Sequence, residues 1–241
     1  MTVIALRLAG PLQAWGSGSR FARRTTETAP TKSGLLGLIA AAKGLRRCDP
    51  LEELLSLRLG VRIDQPGELI RDFQTAQRPE RGRDGSVTWK SLPLSYRYYM
   101  TDAAYLAVLE GDRALLEGID EAVRRPAFPL YLGRRSCPPA GPIALGLYED
   151  HLEDALVVLP WLAGVRHQRA HRARSVRLET VRDARPEETG AETMHDVPLS
   201  FDPNQRRYAW RSVVREPVTV ENPHGTDPSV PDHDPMSLLR A

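Results

Sequence analysis

The order of apolar segments constrains the fold of this chain more than any other feature of its sequence. Apolar side chains at every second residue indicate strands, and apolar stripes that follow a capping residue indicate helices. The first 150 residues contain two strand-helix-strand groups of this kind. In chain order, they comprise strand 3–8, helix 33–42, strand 57–63, strand 105–109, helix 112–123 and strand 143–148. This βαββαβ order predicts an α+β, ferredoxin-like domain, of the type that RNA-recognition proteins use.

A polar and basic segment, residues 74–97, separates the two groups. It contains Asp84-Gly85, a pair that is typical of hairpin turns. We therefore expect an extended hairpin that projects from the sheet. Its basic residues can contact RNA or a neighbouring subunit, or they can form an ordinary solvated surface. These residues are Arg78, Arg81, Arg83, Lys90 and Arg97.

The periodic pattern weakens after residue 150. Segments 176–181 and 208–214 are typical of strands, whereas 183–205 is typical of a loop. We expect one domain over residues 1–150 and a smaller β-rich lobe over 151–220.

The charge of the chain is small in total but unevenly distributed. The net charge of the 241 residues is +2, yet residues 1–48 contain eight Lys or Arg and a single acid. Residues 221–241 contain four acids, four Pro and few apolar residues, which predicts a disordered acidic tail. A basic body with an acidic tail favours a polyanionic partner. The chain has no apolar run of 18 residues and no recognisable signal peptide, so we expect a cytoplasmic protein without membrane contact.

The segment 131–139, Tyr-Leu-Gly-Arg-Arg-Ser-Cys-Pro-Pro, forms a short, stiff, cationic loop. Gly133 permits close approach to the backbone, and Arg134 and Arg135 carry planar guanidinium groups that match phosphate oxygens. Ser136 completes the polar part of the loop. No residue here is suited to act as a general base or to bind a metal well. The loop is therefore expected to bind a polyanion rather than to catalyse a reaction.

Cationic and aromatic residues alternate in the loop that follows the first strand. Arg20, Arg23 and Arg24 lie close in sequence to Trp15 and Phe21. Such arginines can neutralise phosphates while aromatic rings stack on bases. The alternative is a solvated run of charge, with Trp15 in the core.

A second candidate phosphate site is the segment that opens the first helix. It consists of Thr31, Lys32, Ser33 and Gly34. Free backbone N–H groups and the positive end of the helix dipole favour an anion there, and Lys32 adds a full charge. Thr31 or Ser33 can cap the helix. The alternative is an ordinary capped helix with a solvated lysine.

The densest basic run lies outside both strand-helix-strand groups. It contains Arg166, Arg169, Arg172 and Arg174, together with His167 and His171. The run can follow the phosphates of a nucleic acid or form a solvated loop, and the sequence leaves both open. The two histidines are four residues apart, which places them on one face if the segment is helical. No third metal ligand is evident, and two surface histidines are the simpler interpretation.

Three blocks of sequence, in order, resemble one known family. They are LRLAGPLQAWG at 6–16, PTKSGLLGL at 30–38 and YLGRRSCP at 131–138. The chain resembles the Cas-five family of CRISPR-associated proteins, in particular its type I-E members. The similarity is good over residues 2–150 and weaker over 150–220.

The resemblance implies a non-catalytic subunit of the Cascade surveillance complex. In this family, the protein caps one end of the complex and holds the 5′ handle of the CRISPR RNA. A hairpin called the thumb helps to kink the RNA and touches the neighbouring subunit, and residues 74–97 occupy its position. The implied partners are CRISPR RNA, the backbone subunit CasC, the large subunit CasA and, through the complex, target DNA. No catalytic residue, cofactor or metal is implied.

Two other functions are compatible with the residues. The first is a metal-independent endoribonuclease that processes CRISPR repeat RNA, in which His167 and His171 would transfer protons. The second is a structural adaptor that contacts only protein.

Overall fold

The computed structural model describes residues 1–17 and 23–226. Arg20 and the acidic tail from residue 227 onward, both included in the sequence predictions, lie outside these residues. The first seven strands are β1 (Thr2–Ala9), β2 (Leu12–Gln13), β3 (Arg23–Arg24), β4 (Arg58–Gln65), β5 (Glu68–Gln74), β6 (Gln77–Arg81) and β7 (Val87–Ser91). They are followed by β8 (Ser95–Thr101), β9 (Ala104–Gly111), β10 (Ala144–Tyr148), β11 (Ser175–Asp183), β12 (Glu192–Ser200) and β13 (Arg207–Glu221). The helices are α1 (Lys32–Ala42), α2 (Glu52–Leu55), α3 (Arg113–Arg124), α4 (Leu152–Val158) and α5 (Val165–Ala170).

The main sheet has seven antiparallel strands in the order β10-β1-β9-β4-β11-β13-β12. Its first four strands, with α1 and α3, are the six elements of the two strand-helix-strand groups. Within them, the fourth strand of the pattern lies beside the first, and the third lies between the first and the second. The order of elements that the apolar periodicity predicted is therefore present in the structure.

The helices begin where the sequence provides caps. Thr31, rather than Ser33, caps α1, because its Oγ1 accepts a hydrogen bond from the backbone N–H of Gly34 at 3.2 Å. Asp112 caps α3 in the same way through Leu115 N at 3.1 Å.

Helices cover both faces of the sheet. On one face, Leu6 and Leu8 of β1 pack with α1 and α3 in the largest core. On the other face, Val3 and Ala5 pack with Leu152 of α4. This alternation along β1 is the period of two of a strand that is buried on both sides. No helix of the described residues is long and apolar enough to cross a membrane.

The C-terminal strands continue the main sheet instead of forming a sheet of their own. β11 pairs with β4 through Thr180 and Arg62, so the sheet crosses the boundary that the sequence placed near residue 150. The predicted loop at 183–205 is wrong, because it contains the edge strand β12. Pro198 and the buried Asp196 interrupt the apolar alternation of this strand. Proline is tolerated at a sheet edge, so the sequence signal is weak although the strand is present.

The insertion between the groups is longer than the predicted 74–97. β5 pairs with β8 from Glu68 to Thr101, and β6 and β7 form a two-stranded extension. Gly85 adopts a φ of +84° in the turn, as the Asp-Gly pair predicted. All residues of β6 and β7 are exposed except Glu80, which is half-buried.

Candidate nucleic-acid interface

Four arginines from three separate segments converge on one open pocket of about 500 Å³. Arg24 lies on β3 and Arg97 on β8, and these two residues are paired across parallel strands. Arg134, Arg135 and Ser136 approach from the loop that precedes β10. We call this site the arginine pocket. It unites the predicted RNA-binding loop, one predicted arginine of the N-terminal loop and one predicted thumb residue.

Arg134 forms the floor of the arginine pocket. Its guanidinium donates to the carbonyl oxygens of Tyr98 at 3.0 Å and Arg24 at 2.7 Å, and it stacks 4.8 Å from the centre of the Tyr99 ring. These partners are neutral, so the charge of Arg134 is held in place without being neutralised. Arg134 thus positions the pocket and also adds to its positive charge.

The other guanidinium groups have few partners. Arg97 Nε is buried and has no hydrogen-bond partner among the described residues. The side chains of Arg24 and Arg135 make no ion pair with any residue that the structure describes. Arg23, which precedes Arg24 on β3, is exposed. Several positive charges in one pocket repel each other unless an anion lies between them, so the site favours an anionic ligand.

The pKa of Tyr99 is shifted by the same positive charges. Burial alone would raise the pKa of its phenol, but hydrogen bonding with Ser136 and the guanidinium groups of Arg134 and Arg97 lower the pKa below its ordinary value. The field at the pocket therefore stabilises negative charge.

The backbone conformation and packing at position 133 require a glycine. Its φ is +89°, and an added Cβ would collide with the backbone of Ala14. Ala14 N donates to Leu132 O at 3.0 Å, and Trp15 beside it is fully buried. The arginine-bearing loop is thereby fixed against the first loop. Trp15 is a core residue, which was one of the two predicted alternatives.

A second depression of about 800 Å³ adjoins the arginine pocket, and Arg135 lines both. We call it the α1 groove. Its floor is the small-residue face of α1, including Gly34, Gly37 and Ala41. Aromatic and basic side chains form its walls: Phe128, Tyr131, Phe201, Tyr208, Arg46, Arg47 and Arg206. The sequence predictions did not name these wall residues as binding residues, although the Arg46-Arg47 pair, a few residues after the helix, was a usable signal.

The structure contradicts the role predicted for Lys32. It was predicted to bind a phosphate, but it is only 6% exposed. Its Nζ donates to Asp183 Oδ2 and to Leu57 O, both at 2.8 Å. Burial would raise the pKa of Asp183, but the charges of Lys32 and Arg211 outweigh it and lower the pKa. The ammonium group is therefore neutralised inside the protein.

The start of α1 is also occupied. The backbone N–H of Lys32 donates to Asp196 Oδ2 at 2.7 Å, so a carboxylate of the chain already uses the positive end of the helix. Thr31 and Ser33 are buried, and an added Cβ at Gly34 would lie 2.8 Å from the Trp15 ring. The predicted phosphate site at Thr31–Gly34 is thus a buried ion-pair network that joins α1 to the C-terminal strands, although Ser33 and Gly34 also line the α1 groove.

The outer insertion residues do not share the arginine pocket. Arg78 and Lys90 pair with Glu80 at 2.9 and 3.5 Å, while Arg81 and Arg83 are exposed. Large apolar side chains are exposed on the same insertion: Leu69, Phe73, Val87, Trp89, Leu92 and Leu94. This surface has the composition of a protein contact more than that of a phosphate site.

The basic run at 166–174 lies on the other side of the sheet from the α1 groove. His167 and His171 stack at 4.7 Å, and burial together with the charge of His171 lowers the pKa of His167. Arg166, Arg169, Arg172 and Arg174 are all exposed here. Across residues 1–17 and 23–226, no group of three side chains is arranged to hold a metal ion. Because this run lies across the sheet from the α1 groove, its two histidines are separated from the arginine pocket, which adjoins that groove.

Comparison with known proteins identifies the family. The sequence profile of the family described as CRISPR-associated protein (Cas_Cas5) matches residues 3–214. The chain belongs to the Cas5 family. It is 35% identical over 160 residues to the CRISPR system Cascade subunit CasD of Escherichia coli (strain K12), a match that covers 59% of this chain and 70% of that protein. The resemblance to type I-E, CasD-like members is thus confirmed.

Solved structures agree with this assignment. A chain of a CRISPR RNA-guided surveillance complex is 31% identical with a TM-score of 0.74, and the match covers 94% of each chain. A second structure, of a Cas protein, is 36% identical with a TM-score of 0.69, covering 93% of this chain and 98% of the other. The Cas5 match extends past residue 150, as the main sheet does.

Proposed function

We propose that this Cas5 protein is a non-catalytic subunit of a type I-E Cascade complex and binds the 5′ handle of CRISPR RNA. One observation carries the proposal: Arg24, Arg97 and Arg135 converge on the arginine pocket with no carboxylate partner among the described residues, and Arg135 also lines an aromatic-walled groove. The similarity to CasD and to a chain of an RNA-guided complex supports RNA as the anion.

The arginine pocket and the α1 groove bind different parts of one RNA strand. Guanidinium groups of the arginine pocket bind phosphates, with geometry that favours paired hydrogen bonds. Unstacked bases enter the α1 groove and stack on rings such as Tyr131 and Tyr208, while Arg46 and Arg206 contact the backbone at its rim. Small side chains on α1 leave room for the bases.

The fold is interpreted accordingly as ferredoxin-like, with residues 68–101 as the thumb. Exposed Phe73 and Trp89 on this insertion provide an apolar surface for the backbone subunit CasC. Capping of the backbone filament is part of this proposal. The large subunit CasA and target DNA are partners within the assembled complex.

The proposal excludes catalysis at the arginine pocket on chemical grounds. RNA cleavage without a metal needs a base near the 2′-hydroxyl and an acid at the leaving oxygen. Among the described residues, the pocket is lined by four arginines and Ser136, with Tyr99 beside it. His167 and His171 lie beyond the opposite face of the sheet. The site is built to bind and not to transfer protons.

The test removes charge without removing internal hydrogen bonds. The double variant Arg24→Ala/Arg135→Ala should lower the affinity of the full chain for single-stranded handle RNA by about 10-fold or more at moderate salt. The slope of log affinity against log salt should fall by about 1–1.5, since each single-strand phosphate contributes roughly 0.7. Fluorescence anisotropy over a salt series measures both quantities.

The matched control is Arg113→Ala/Arg124→Ala, which removes the same charge from exposed ion pairs on α3. Equal losses in the two double variants would show a net-charge effect and contradict the site. Crosslinking of the assembled complex separates the adaptor alternative, which predicts no RNA adduct on this chain. Cleavage of repeat RNA in EDTA that is lost in His167→Ala would instead support the endoribonuclease.

A further inference from the structure

A second strongly charged surface lies outside the proposed RNA site. It consists of Arg166 and Arg169 on α5 and Arg172 just after it, and we call it the α5 patch. All three side chains are exposed, and none has a hydrogen bond or ion pair with the residues that the structure describes. The patch therefore presents positive charge that the described part of the protein does not neutralise.

The backbone beneath the α5 patch is held rigidly. Asn222 Nδ2 donates to three carbonyl oxygens, those of Gln168, His171 and Ala173, at 3.1, 2.6 and 3.1 Å. The Gln168 amide donates to Trp161 O at 2.8 Å from a buried position. These bonds tie the turn between α5 and β11 to the end of β13 and to Trp161, and so position the backbone that carries the arginines.

An open cavity of about 520 Å³ adjoins the arginines. Trp161, His167 and Leu178 are among the residues that line it, and so is Arg172 of the patch. The rings of His167 and His171 approach the edge of Trp161 at 5.7 and 5.4 Å. Trp161 is only 4% exposed, so the accessible flat surface beside the unpaired guanidinium groups is that of the two histidine rings.

The α5 patch and the arginine pocket are on different sides of the main sheet. Val176 and Leu178 of β11 pack with Trp161, whereas Val181 packs with the α1 core. Residues 178 and 181 point to opposite faces because successive side chains of a strand alternate. One strand of RNA in the α1 groove therefore leaves the α5 patch free for another ligand.

We propose that the α5 patch is a second nucleic-acid-binding surface that takes a phosphodiester backbone independently of the arginine pocket. Residues three apart on a helix are about 5–6 Å apart at Cβ, so Arg166 and Arg169 lie side by side on α5, and Arg172 adds a third charge just after the helix ends. A repeating polyanion contacts several points of such a line, whereas a single carboxylate neutralises only one. A nucleic acid also supplies flat sugar and base surface for the adjoining cavity, which an acidic peptide lacks.

The experiment measures binding of a 30-base-pair DNA duplex of arbitrary sequence to the full chain by anisotropy across a salt series. The triple variant Arg166→Ala/Arg169→Ala/Arg172→Ala should lower duplex affinity about 10-fold or more. Its salt slope should fall by about 2–3, at roughly 0.9 per duplex phosphate. The control variant Arg113→Ala/Arg124→Ala/Arg125→Ala removes the same charge from α3 and the residue that follows it, and should change both quantities much less. Equal changes in the two triple variants would overturn the proposal.

Two further arms separate this surface from the proposed RNA site. Handle RNA should bind the α5 triple variant with unchanged affinity, and duplex DNA should bind Arg24→Ala/Arg135→Ala with unchanged affinity. The opposite pattern, with both ligands lost together in each variant, would show one shared site and refute a separate surface. Single-stranded DNA and unrelated RNA, used as competitors of the duplex, identify which nucleic acid the α5 patch takes.

The acidic residues after position 226 provide a final check, because Thr226 N donates to Arg172 O at 2.8 Å and the chain continues from there. Deletion of 227–241 should leave the dependence of duplex binding on the three arginines in place. The proposal is wrong if the triple variant of the full chain binds duplex with wild-type affinity, and if deletion of 227–241 changes the affinity only when the three arginines are present. That result would show that the patch binds the chain's own acidic segment. Circular dichroism confirms that each variant is folded.

Discussion

The arginine pocket and the network at the start of α1 contain similar residues, yet their chemistry is opposite. In the network, Lys32 and Arg211 face Asp183 and Asp196, and the four charges balance in the interior. In the pocket, Arg24, Arg97, Arg134 and Arg135 face carbonyl oxygens, a phenol and solvent. Basic residues can therefore form a candidate ligand site only where the fold places no carboxylate beside them.

The largest effect is expected from Asp183→Ala. Asp183 accepts from Lys32, Arg211 and the backbone of Leu59, so its removal leaves two buried cations without their shared anion. Breaking a buried pair in this way costs about 3–5 kcal/mol of the free energy of unfolding. Urea denaturation measures it. The exposed pair variant Glu117→Ala should cost at most about 1 kcal/mol, and equal costs would mean that the network is not a buried structural unit.

Arg135→Glu should convert the arginine pocket toward the character of the network. A carboxylate among Arg24, Arg97 and Arg134 provides an internal counter-charge and occupies the place of a phosphate. Handle RNA affinity should fall by about 10–100-fold, or roughly 1.4–2.7 kcal/mol, while the free energy of unfolding stays unchanged or rises slightly. Anisotropy and urea denaturation on the same sample test both parts. A strong loss of stability would show that Arg135 is structural.

Acid should weaken the carboxylate-linked part of the molecule first. Burial would raise the pKa of Glu153, but hydrogen bonds from Arg185 and Arg58 outweigh it and lower the pKa to about 2. Because the folded pKa lies below the unfolded value of about 4.3, this contribution is complete above that value. It is lost progressively as the pH falls toward about 2.

The measurement is the free energy of unfolding between pH 6 and pH 2.5, in the wild type and in Glu153→Gln. The variant should show a shallower loss of stability over this range, because it lacks one of the groups that take up a proton on unfolding. Identical slopes would contradict the assigned ion pairs of Glu153.

The smallest effect is expected at the exposed end of the insertion. Glu80 pairs with Arg78 and Lys90, but all three side chains are 43–61% exposed. Glu80→Gln should change the free energy of unfolding by no more than about 0.5–1 kcal/mol, because water screens such pairs. A change as large as that of Asp183→Ala would remove the distinction between buried and exposed charge on which the comparison rests.

Much of the fold was predictable because its signals are local. Strand periodicity, the Thr31 and Asp112 caps and the Asp84-Gly85 turn each act within a few residues, and each appears in the structure. The strand β12 was missed because Pro198 and Asp196 obscure its pattern, and the continuation of the sheet past residue 150 depends on pairing between β4 and β11. Pairing over such separations leaves no local mark in the sequence.

The candidate site was predictable only in part. Arg134 and Arg135 were found from their loop, and Arg24 and Arg97 were named for other reasons, as parts of an N-terminal loop and a thumb. The structure brings them together because β3 pairs with β8 beside the loop. Lys32 was misassigned because its partner Asp183 is 151 residues away in the chain.

The sequence by itself determined the succession of strands and helices, the helix starts and membership in the Cas5 family, because these depend on neighbouring residues or on ordered motifs. The tertiary structure was needed to show which basic groups are neutralised by carboxylates and which have no carboxylate partner among the described residues. The physical reason is that electrostatic interactions depend on distance through space and on burial, and the chain folds residues from distant positions into each charged site. Lys32 and Arg135 each carry one positive charge, but Asp183 neutralises Lys32 and makes it part of the buried network.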